Sequence, residues 1–134
     1  MMAQPVIVDT DILIDFSLDR PDAVQTMAIL EENNTITVSV ITAMELYAGC
    51  RSKKDLKIVD LLLSGIQIEL VTKAVSEKAF ELMKTFGSSH GVEINDMLIA
   101  ATAMTLELNL ISKNQKHYTF LRGLGLLKSP LTEV

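Results

Sequence analysis

Residues 6–15 read VIVDTDILID, an apolar run followed directly by two acids that flank a threonine. The β-branched residues Val6, Ile7 and Val8 are typical of a short buried strand that ends at Asp9. A short helix is predicted to follow over residues 11–17. The same strand-then-helix pattern recurs along the rest of the chain, and this recurrence determines the predicted fold class.

Further strands are predicted at residues 35–39, 66–71 and 109–112, with an edge strand at 126–128. Helices are predicted at residues 21–32, 42–50, 53–63 and 96–108, and a helical turn at 117–121. One more amphipathic helix runs from about Val75 and stops near Gly87. Strands that alternate with helices indicate an α/β architecture with a central, mainly parallel sheet of four to five short strands.

The composition limits the class of protein. A chain of 134 residues without internal repeats or linkers predicts a single domain, residues 1–134. Its 49% apolar and 22% charged residues exclude a disordered or fibrous chain. No apolar run reaches the roughly 18 residues of a membrane-spanning helix, so no membrane association is expected. Because Cys50 is the single cysteine and residues 1–5 show no secretory signal, a cytoplasmic location is expected.

The net charge of −5 argues against nucleic-acid binding through bulk charge, because phosphate neutralisation needs basic residues. With two Tyr, four Phe and no Trp, a base-stacking platform is not expected either. Any nucleic acid would therefore have to bind at a local site.

Acidic and polar residues converge on one edge of the predicted sheet. In open parallel sheets, ligands bind beyond the carboxyl ends of the strands. Asp9 ends the first strand, and Glu45 lies on the helix that follows the second. Asp96 opens the helix that leads back to the fourth strand, and Ser112 and Asn114 follow that strand. Four separate segments thus meet at one rim, and three of them bring a carboxylate.

Each acid also has a purely structural interpretation. Asp9 or Asp11 could cap the helix that follows, Thr42 and Glu45 have the spacing of a capping box, and Asp96 stands at an ordinary helix start. Helix capping does not explain why the acids share one rim. Three carboxylates in a partly apolar pocket repel one another, so they need a cation or shifted pKa values.

Oxygen ligands of this kind suit hard cations such as Mg²⁺ or Mn²⁺. The residues that would favour zinc, Cys50, His90 and His117, are scattered along the chain. The pattern therefore predicts a magnesium or manganese site rather than a zinc site.

Three segments of the chain resemble a known family: VIVDTDILID (6–15), SVITAMELYAG (39–49) and HGVEINDMLIAATAMTLELNLISKNQKHY (90–118). Their order, spacing and flanking residues are similar to those of the PIN-domain ribonucleases, and most similar to VapC-type toxins of type II toxin–antitoxin pairs. The resemblance implies a PIN-like three-layer α/β/α fold. It also implies that Asp9, Glu45 and Asp96 are the catalytic, metal-binding acids, with a secondary role for Asp11.

The resemblance further implies metal-assisted hydrolysis of RNA, leaving a 5′ phosphate and a 3′ hydroxyl. Asp9 and Asp96 would bind the cation directly, and Glu45 would bind it or orient the attacking water. Thr10 and Ser112 would hydrogen-bond to the carboxylates without touching the cation themselves.

One feature departs from the family pattern. Many members place a fourth acid just after the fourth strand, where this chain has Asn114 and His117 but no carboxylate. A second metal would then need substrate phosphate to complete its coordination. Asn114 also suits a turn, and a packed or surface role is the simpler interpretation of His117.

The family likeness also implies partners, namely an RNA substrate, a second copy in a homodimer, and a cognate antitoxin whose segment blocks the site. We expect the antitoxin to bind a hydrophobic groove among the helices between residues 21 and 64. Basic residues near the rim are candidates for the RNA backbone: Arg51, Lys53, Lys54, Lys57, Lys113 and Lys116.

Two other functions compete with a ribonuclease. Asp9-Thr10-Asp11 after an apolar strand is similar to the nucleophile motif of haloacid-dehalogenase-type phosphatases, but Ile12 and Leu13 follow it instead of the usual Gly-Thr pair. The other is a non-catalytic RNA- or protein-binding module on the same fold, which the missing fourth acid favours.

Overall fold

The computed structural model describes residues 4–33 and 35–132. The strands are β1 (Val6–Val8), β2 (Ile36–Ser39), β3 (Gln67–Glu69), β4 (Asn109–Ser112) and β5 (Leu126–Lys128). The helices are α1 (Thr10–Ser17), α2 (Pro21–Glu32), α3 (Val40–Ala48), α4 (Lys53–Leu63), α5 (Lys73–Phe86) and α6 (Ile94–Leu106). A short 3₁₀ helix at Gln115–His117 follows β4.

The five strands form one sheet in the order β3-β2-β1-β4-β5, and every pairing is parallel. Ile7 in the central strand β1 is in register with Thr37 of β2 on one side and with Leu110 of β4 on the other. The predicted α/β class with a parallel sheet is therefore confirmed, and the carboxyl ends of all five strands lie along one edge.

Helices cover both faces of the sheet and give the three-layer arrangement. Val6 and Val8 point into a core cluster built with α1 to α4, which includes Leu13 and Leu30. Ile7 points to the opposite face, into a second cluster built with α5 and α6. This alternation explains why β1 is apolar at every position, since a strand covered on both faces has no side exposed to water.

Helix α6 is the most deeply buried helix of the described residues. Met97, Ile99, Ala100, Ala101 and Ala103 on it have no exposed surface. A helix that is apolar on most of its circumference is expected to be enclosed by protein, and α6 packs closely against α5. Among residues 4–33 and 35–132, no helix combines the length and the hydrophobicity that crossing a bilayer requires.

Several predicted element boundaries were wrong by a few residues. Helix α3 begins at Val40 instead of residue 42, because the Ser39 hydroxyl caps it by accepting from the Ile41 amide at 3.0 Å. Helix α6 begins and ends two residues earlier than predicted, and Glu107 ends it with a left-handed φ of 56°. Strand β3 is shorter than predicted, and the 3₁₀ helix at Gln115–His117 begins two residues before the helical turn predicted at 117–121.

Candidate active site

Asp9 lies at the end of β1, where it is also the residue that caps α1. Its Oδ1 accepts from the Thr10 amide at 2.8 Å, and its Oδ2 accepts from the Ser112 hydroxyl at 2.7 Å and the Tyr118 hydroxyl at 3.0 Å. Burial raises the pKa of Asp9, and these three hydrogen bonds lower it without cancelling the effect of burial. The capping interpretation and the placement at the rim are thus both correct for Asp9.

Asp96 lies in the first turn of α6, where the helix dipole favours a negative charge. Its Oδ2 is 3.0 Å from Nδ1 of His117, and its Oδ1 is 3.4 Å from the Tyr118 hydroxyl. Partial burial raises the pKa of Asp96, and the charge of Asp9 raises it further. This last effect indicates that the two carboxylates interact electrostatically across the rim.

Glu45 reaches the same rim from α3. Its Oε1 accepts from the Thr10 hydroxyl at 2.7 Å, and its Oε2 accepts from the Asn95 side-chain amide at 3.3 Å. The Thr10 hydroxyl is also 3.0 Å from that of Thr42. The capping-box interpretation of Thr42 and Glu45 is wrong, because Ser39 caps α3 and Glu45 is hydrogen-bonded across the rim to other elements.

Asp11 turns toward the loop after β4. Its Oδ2 accepts from the backbone amides of Lys113 at 3.1 Å and Asn114 at 3.0 Å, with the Ser112 hydroxyl at 3.4 Å. Its Oδ1 is buried and has no hydrogen-bond partner. Burial first, and the charge of Asp9 second, raise the pKa of Asp11 from 3.8 to about 6. Asp11 therefore anchors the loop after β4 while adding charge beside Asp9.

The eight predicted site residues thus gather in one hydrogen-bonded network. Thr10 connects Asp9 to Glu45 by donating to both through its amide and its hydroxyl. Ser112 lies between Asp9 and Asp11, and His117 lies against Asp96. Asn114 takes part through its backbone amide, which donates to Asp11 and to the Ser112 hydroxyl.

The carboxylates at the rim are of the ligand type that a divalent cation prefers, but they do not form a preassembled metal site. Within the described ranges, no three Asp, Glu, His or Cys side chains lie close enough together to form a ready-made metal site. The donors available at the rim are carboxylate oxygens, which hard cations prefer. Burial first, and the charge of a neighbouring acid second, raise the pKa values of Asp9, Asp11 and Asp96, and a bound cation would oppose both effects.

Tyr118 is the site residue that the sequence analysis did not single out. Its ring has no exposed surface, and its hydroxyl lies between Asp9 and Asp96. Burial raises the pKa of Tyr118 far above its usual value, so its hydroxyl stays protonated and can donate. The one signal for it in the sequence is its position directly after His117, which is a predicted site residue.

The larger of the two main cavities lies away from the acids. It has a volume of about 1040 Å³ and lies between α2 and α4, with Met27, Ile58 and Leu62 among its lining residues. A smaller cavity of about 400 Å³ lies beside Arg20 and Lys113. Lys113 is already paired there with Asp15, its Nζ being 2.7 Å from a carboxylate oxygen.

The fold and the site together define an α/β protein with an acidic site at the carboxyl edge of a parallel sheet. Comparison with known sequences identifies the family. The chain belongs to the PIN domain family, whose sequence model matches residues 6–120. Its sequence relatives include VapC ribonucleases. Over 114 residues it is 32% identical to ribonuclease VapC19 of Mycobacterium tuberculosis, covering 84% of this chain and 90% of that protein.

Solved structures agree with this assignment. The crystal structure of VapBC2 from Rickettsia felis, bound to a DNA fragment from their promoter, contains a chain that matches with a TM-score of 0.80 and 26% identity. That match covers 93% of this chain and 98% of the other. A toxin–antitoxin complex from Klebsiella pneumoniae matches with a TM-score of 0.76 and 26% identity, covering 98% of this chain and 100% of the other.

Proposed function

We propose that this chain, as a single PIN domain over residues 1–134, is a cytoplasmic ribonuclease toxin that hydrolyses RNA phosphodiester bonds and is neutralised by a cognate antitoxin. The observation that carries the proposal is the meeting of Asp9, Glu45 and Asp96 from three separate elements in one hydrogen-bonded rim. Support also comes from the relatives, which include a protein named ribonuclease VapC19.

We further propose that Asp9, Glu45 and Asp96 hold Mg²⁺, or Mn²⁺ in its place. A bound divalent cation would activate a water molecule and stabilise the negative charge that develops on the leaving oxygen. The protein's own part is to fix the carboxylates. The Ser112 and Tyr118 hydroxyls hold Asp9, and His117 holds Asp96.

Glu45 is suited to orient a water molecule. It is half-buried, and the Thr10 hydroxyl and the Asn95 amide fix its two oxygens in different directions. A carboxylate held in this way keeps lone pairs free to accept a proton from water. Asp11 contributes indirectly, because it fixes the loop that carries Ser112 and, further on, His117.

The position of the missing fourth acid is taken by polar groups. Asn114 offers its backbone amide to Asp11, and His117 is paired with Asp96. We propose that RNA phosphate completes the coordination of any second cation. Arg51, Lys53, Lys54, Lys57 and Lys116 are exposed, and they are the candidates for contacts with the RNA backbone.

The antitoxin is proposed to bind the cavity of about 1040 Å³ between α2 and α4, which lies among the helices between residues 21 and 64. Leu61, which lines this cavity, is 76% exposed, and burial of such an apolar side chain would favour binding of a partner. We also propose that the chain forms a homodimer. Size-exclusion chromatography with light scattering should then give a mass twice that of the 14.8 kDa chain.

The proposed activity is tested by expression of the chain alone and by incubation of the purified chain with single-stranded RNA. We expect growth arrest and cleavage that requires Mg²⁺ or Mn²⁺ and stops with a chelator. Asp96→Asn should abolish cleavage with an unchanged circular dichroism spectrum. Asp22→Asn, an exposed acid in the first turn of α2, is the matched control and should cleave normally.

Full cleavage by Asp96→Asn would contradict the assignment of the site. Retained RNA binding without any cleavage by the unaltered chain would instead favour the non-catalytic binding module. End-group analysis of the products provides an additional check, since a 5′ phosphate and a 3′ hydroxyl are expected.

A further inference from the structure

The Tyr118 side chain is the largest fully buried one among the described residues, and it ends in a polar atom. Its ring belongs to the apolar cluster that contains Ile7 and Leu110. Its hydroxyl is 3.0 Å from Oδ2 of Asp9 and 3.4 Å from Oδ1 of Asp96. A hydroxyl has a single proton to donate, and the shorter contact assigns that proton to Asp9.

The Tyr118 hydroxyl occupies one of the hydrogen-bond acceptor positions of Asp9. A carboxylate has about four acceptor positions, two on each oxygen. The Ser112 and Tyr118 hydroxyls occupy both positions on Oδ2. The Thr10 amide occupies one position on Oδ1. The protein donors thus leave one acceptor position of Asp9 open, and it is on Oδ1.

Packing alone does not account for a tyrosine here. A phenylalanine would fill the same apolar space, whereas a buried hydroxyl costs free energy unless it is hydrogen-bonded. The partners that this hydroxyl has are two of the proposed cation ligands. Hydrogen-bond donors behind metal ligands are known to orient them and to tune their affinity for the metal.

We propose that Tyr118 is a positioning residue for the cation: together with Ser112 it saturates Oδ2 of Asp9, so that Asp9 presents only Oδ1 to a divalent cation. The inference rests on the proposed function, because it concerns the cation that Asp9, Glu45 and Asp96 would hold.

The experiment is calorimetric titration of the full-length purified chain with Mn²⁺ at pH 7.5, for the wild type and for Tyr118→Phe. Tyr118→Phe keeps the buried ring and removes only the hydroxyl. We expect Mn²⁺ to bind about 10- to 100-fold more weakly, the range typical when a donor behind a metal ligand is removed. A dissociation constant within twofold of the wild type would overturn the inference.

Tyr47→Phe is the matched control, since it is the only other tyrosine and its hydroxyl also donates to a carboxylate, that of Asp60. That pair is exposed and is not part of the acid network at the rim. We expect Tyr47→Phe to bind Mn²⁺ as tightly as the wild type. Equal weakening in both variants would show a non-specific effect and would also overturn the inference.

A merely structural role for Tyr118 makes a different prediction. It would lower the melting temperature of the metal-free protein and leave the Mn²⁺ affinity of the folded molecules unchanged. Ser112→Ala removes the other donor from the same oxygen and provides a second measurement if Tyr118→Phe does not fold. It should weaken Mn²⁺ binding in the same direction, and wild-type affinity in Ser112→Ala would count against the inference.

The wild type separates this inference from the proposed function. If the wild type neither binds Mn²⁺ nor cleaves RNA, the proposed function fails and the role of Tyr118 fails with it. If the wild type does both and Tyr118→Phe binds Mn²⁺ equally well, only the role of Tyr118 is refuted.

Discussion

Asp11 allows the electrostatic description of the rim to be tested without any substrate. Burial and the charge of Asp9 raise its pKa from 3.8 to about 6. Between these two values the folded protein holds a proton that the unfolded chain has released. The contribution of Asp11 to stability is therefore largest at low pH and is lost as the pH rises toward and beyond 6.

The magnitude follows from the size of the shift. A rise from 3.8 to about 6 corresponds to about 3 kcal/mol, since each pKa unit is worth about 1.4 kcal/mol. About half of that lies between pH 5 and pH 7.5. Asp11 is only partly buried, so solvent screening reduces the effect further. We expect about 1 kcal/mol of stability to be lost through Asp11 over this range.

The assay is urea unfolding in the presence of EDTA at pH 5 and pH 7.5, for the wild type and for Asp11→Asn. The loss of stability between the two pH values should be smaller in Asp11→Asn by about 1 kcal/mol. The amide would place an unpartnered NH₂ group where Oδ1 now has no partner. That cost shifts the stability at both pH values equally, so it cancels in the comparison.

Glu31→Gln is the control, because Glu31 is an exposed acid near the end of α2 and its loss should change stability by less than about 0.5 kcal/mol at either pH. The reasoning is refuted if Asp11→Asn loses as much stability between pH 5 and pH 7.5 as the wild type does. Such a result would show that the charge of Asp11 is not disfavoured in the folded, metal-free protein.

Three further measurements address the cation, the RNA and the core. Mn²⁺ at 100 times its dissociation constant should stabilise the wild type by about 2.7 kcal/mol at pH 7.5. The stabilisation by Mn²⁺ should be smaller at pH 5, because the raised pKa values of Asp9 and Asp96 make protons compete better with the cation as the pH falls, and equal thermal shifts at both pH values would contradict this. Lys116→Ala should weaken RNA binding and lower the salt slope by about 0.7, as for one phosphate contact of a single strand, and an unchanged slope would remove Lys116 from the interface. Leu110→Ala, at a fully buried position of β4, should cost about 2–5 kcal/mol in urea unfolding, whereas a cost below 1 kcal/mol would mean that β4 is not part of the core.

The elements with strong local signals were predicted with their observed bounds. Pro21 starts α2 because its fixed φ suits the first helical position, and Lys53–Leu63 has clear amphipathic spacing. The start of α3 was wrong because Ser39 and Thr42 both offer a capping hydroxyl. Which of the two caps the helix depends on where β2 stops pairing with β3, and only the assembled sheet determines that end.

The positions of the acids were predictable because parallel strands fix which ends share an edge. The hydrogen-bond partners of the acids were not, because partners depend on side-chain directions rather than on topology. Thr42 has the sequence spacing of a capping partner for Glu45, but Thr10 donates to Glu45 from another element. Tyr118 follows the 3₁₀ helix after β4 and donates to Asp9. A helical turn was predicted near this position, but no residue pattern indicated which of its side chains would reach the acids.

The acidic composition first argued against an RNA substrate, but the structure shows where the acids are concentrated. Asp9, Asp11, Glu45 and Asp96 are four of the 17 acidic residues, and without them 13 acids remain against 12 basic residues. The rest of the surface is therefore close to neutral, and the excess negative charge belongs to one rim. Burial first, and the charges of neighbouring acids second, raise the pKa values of Asp9, Asp11 and Asp96. A divalent cation at the rim would therefore stabilise the charged carboxylates and also reduce their repulsion toward phosphate. RNA binding at this site should then depend on the cation itself, even in a variant that cannot cleave.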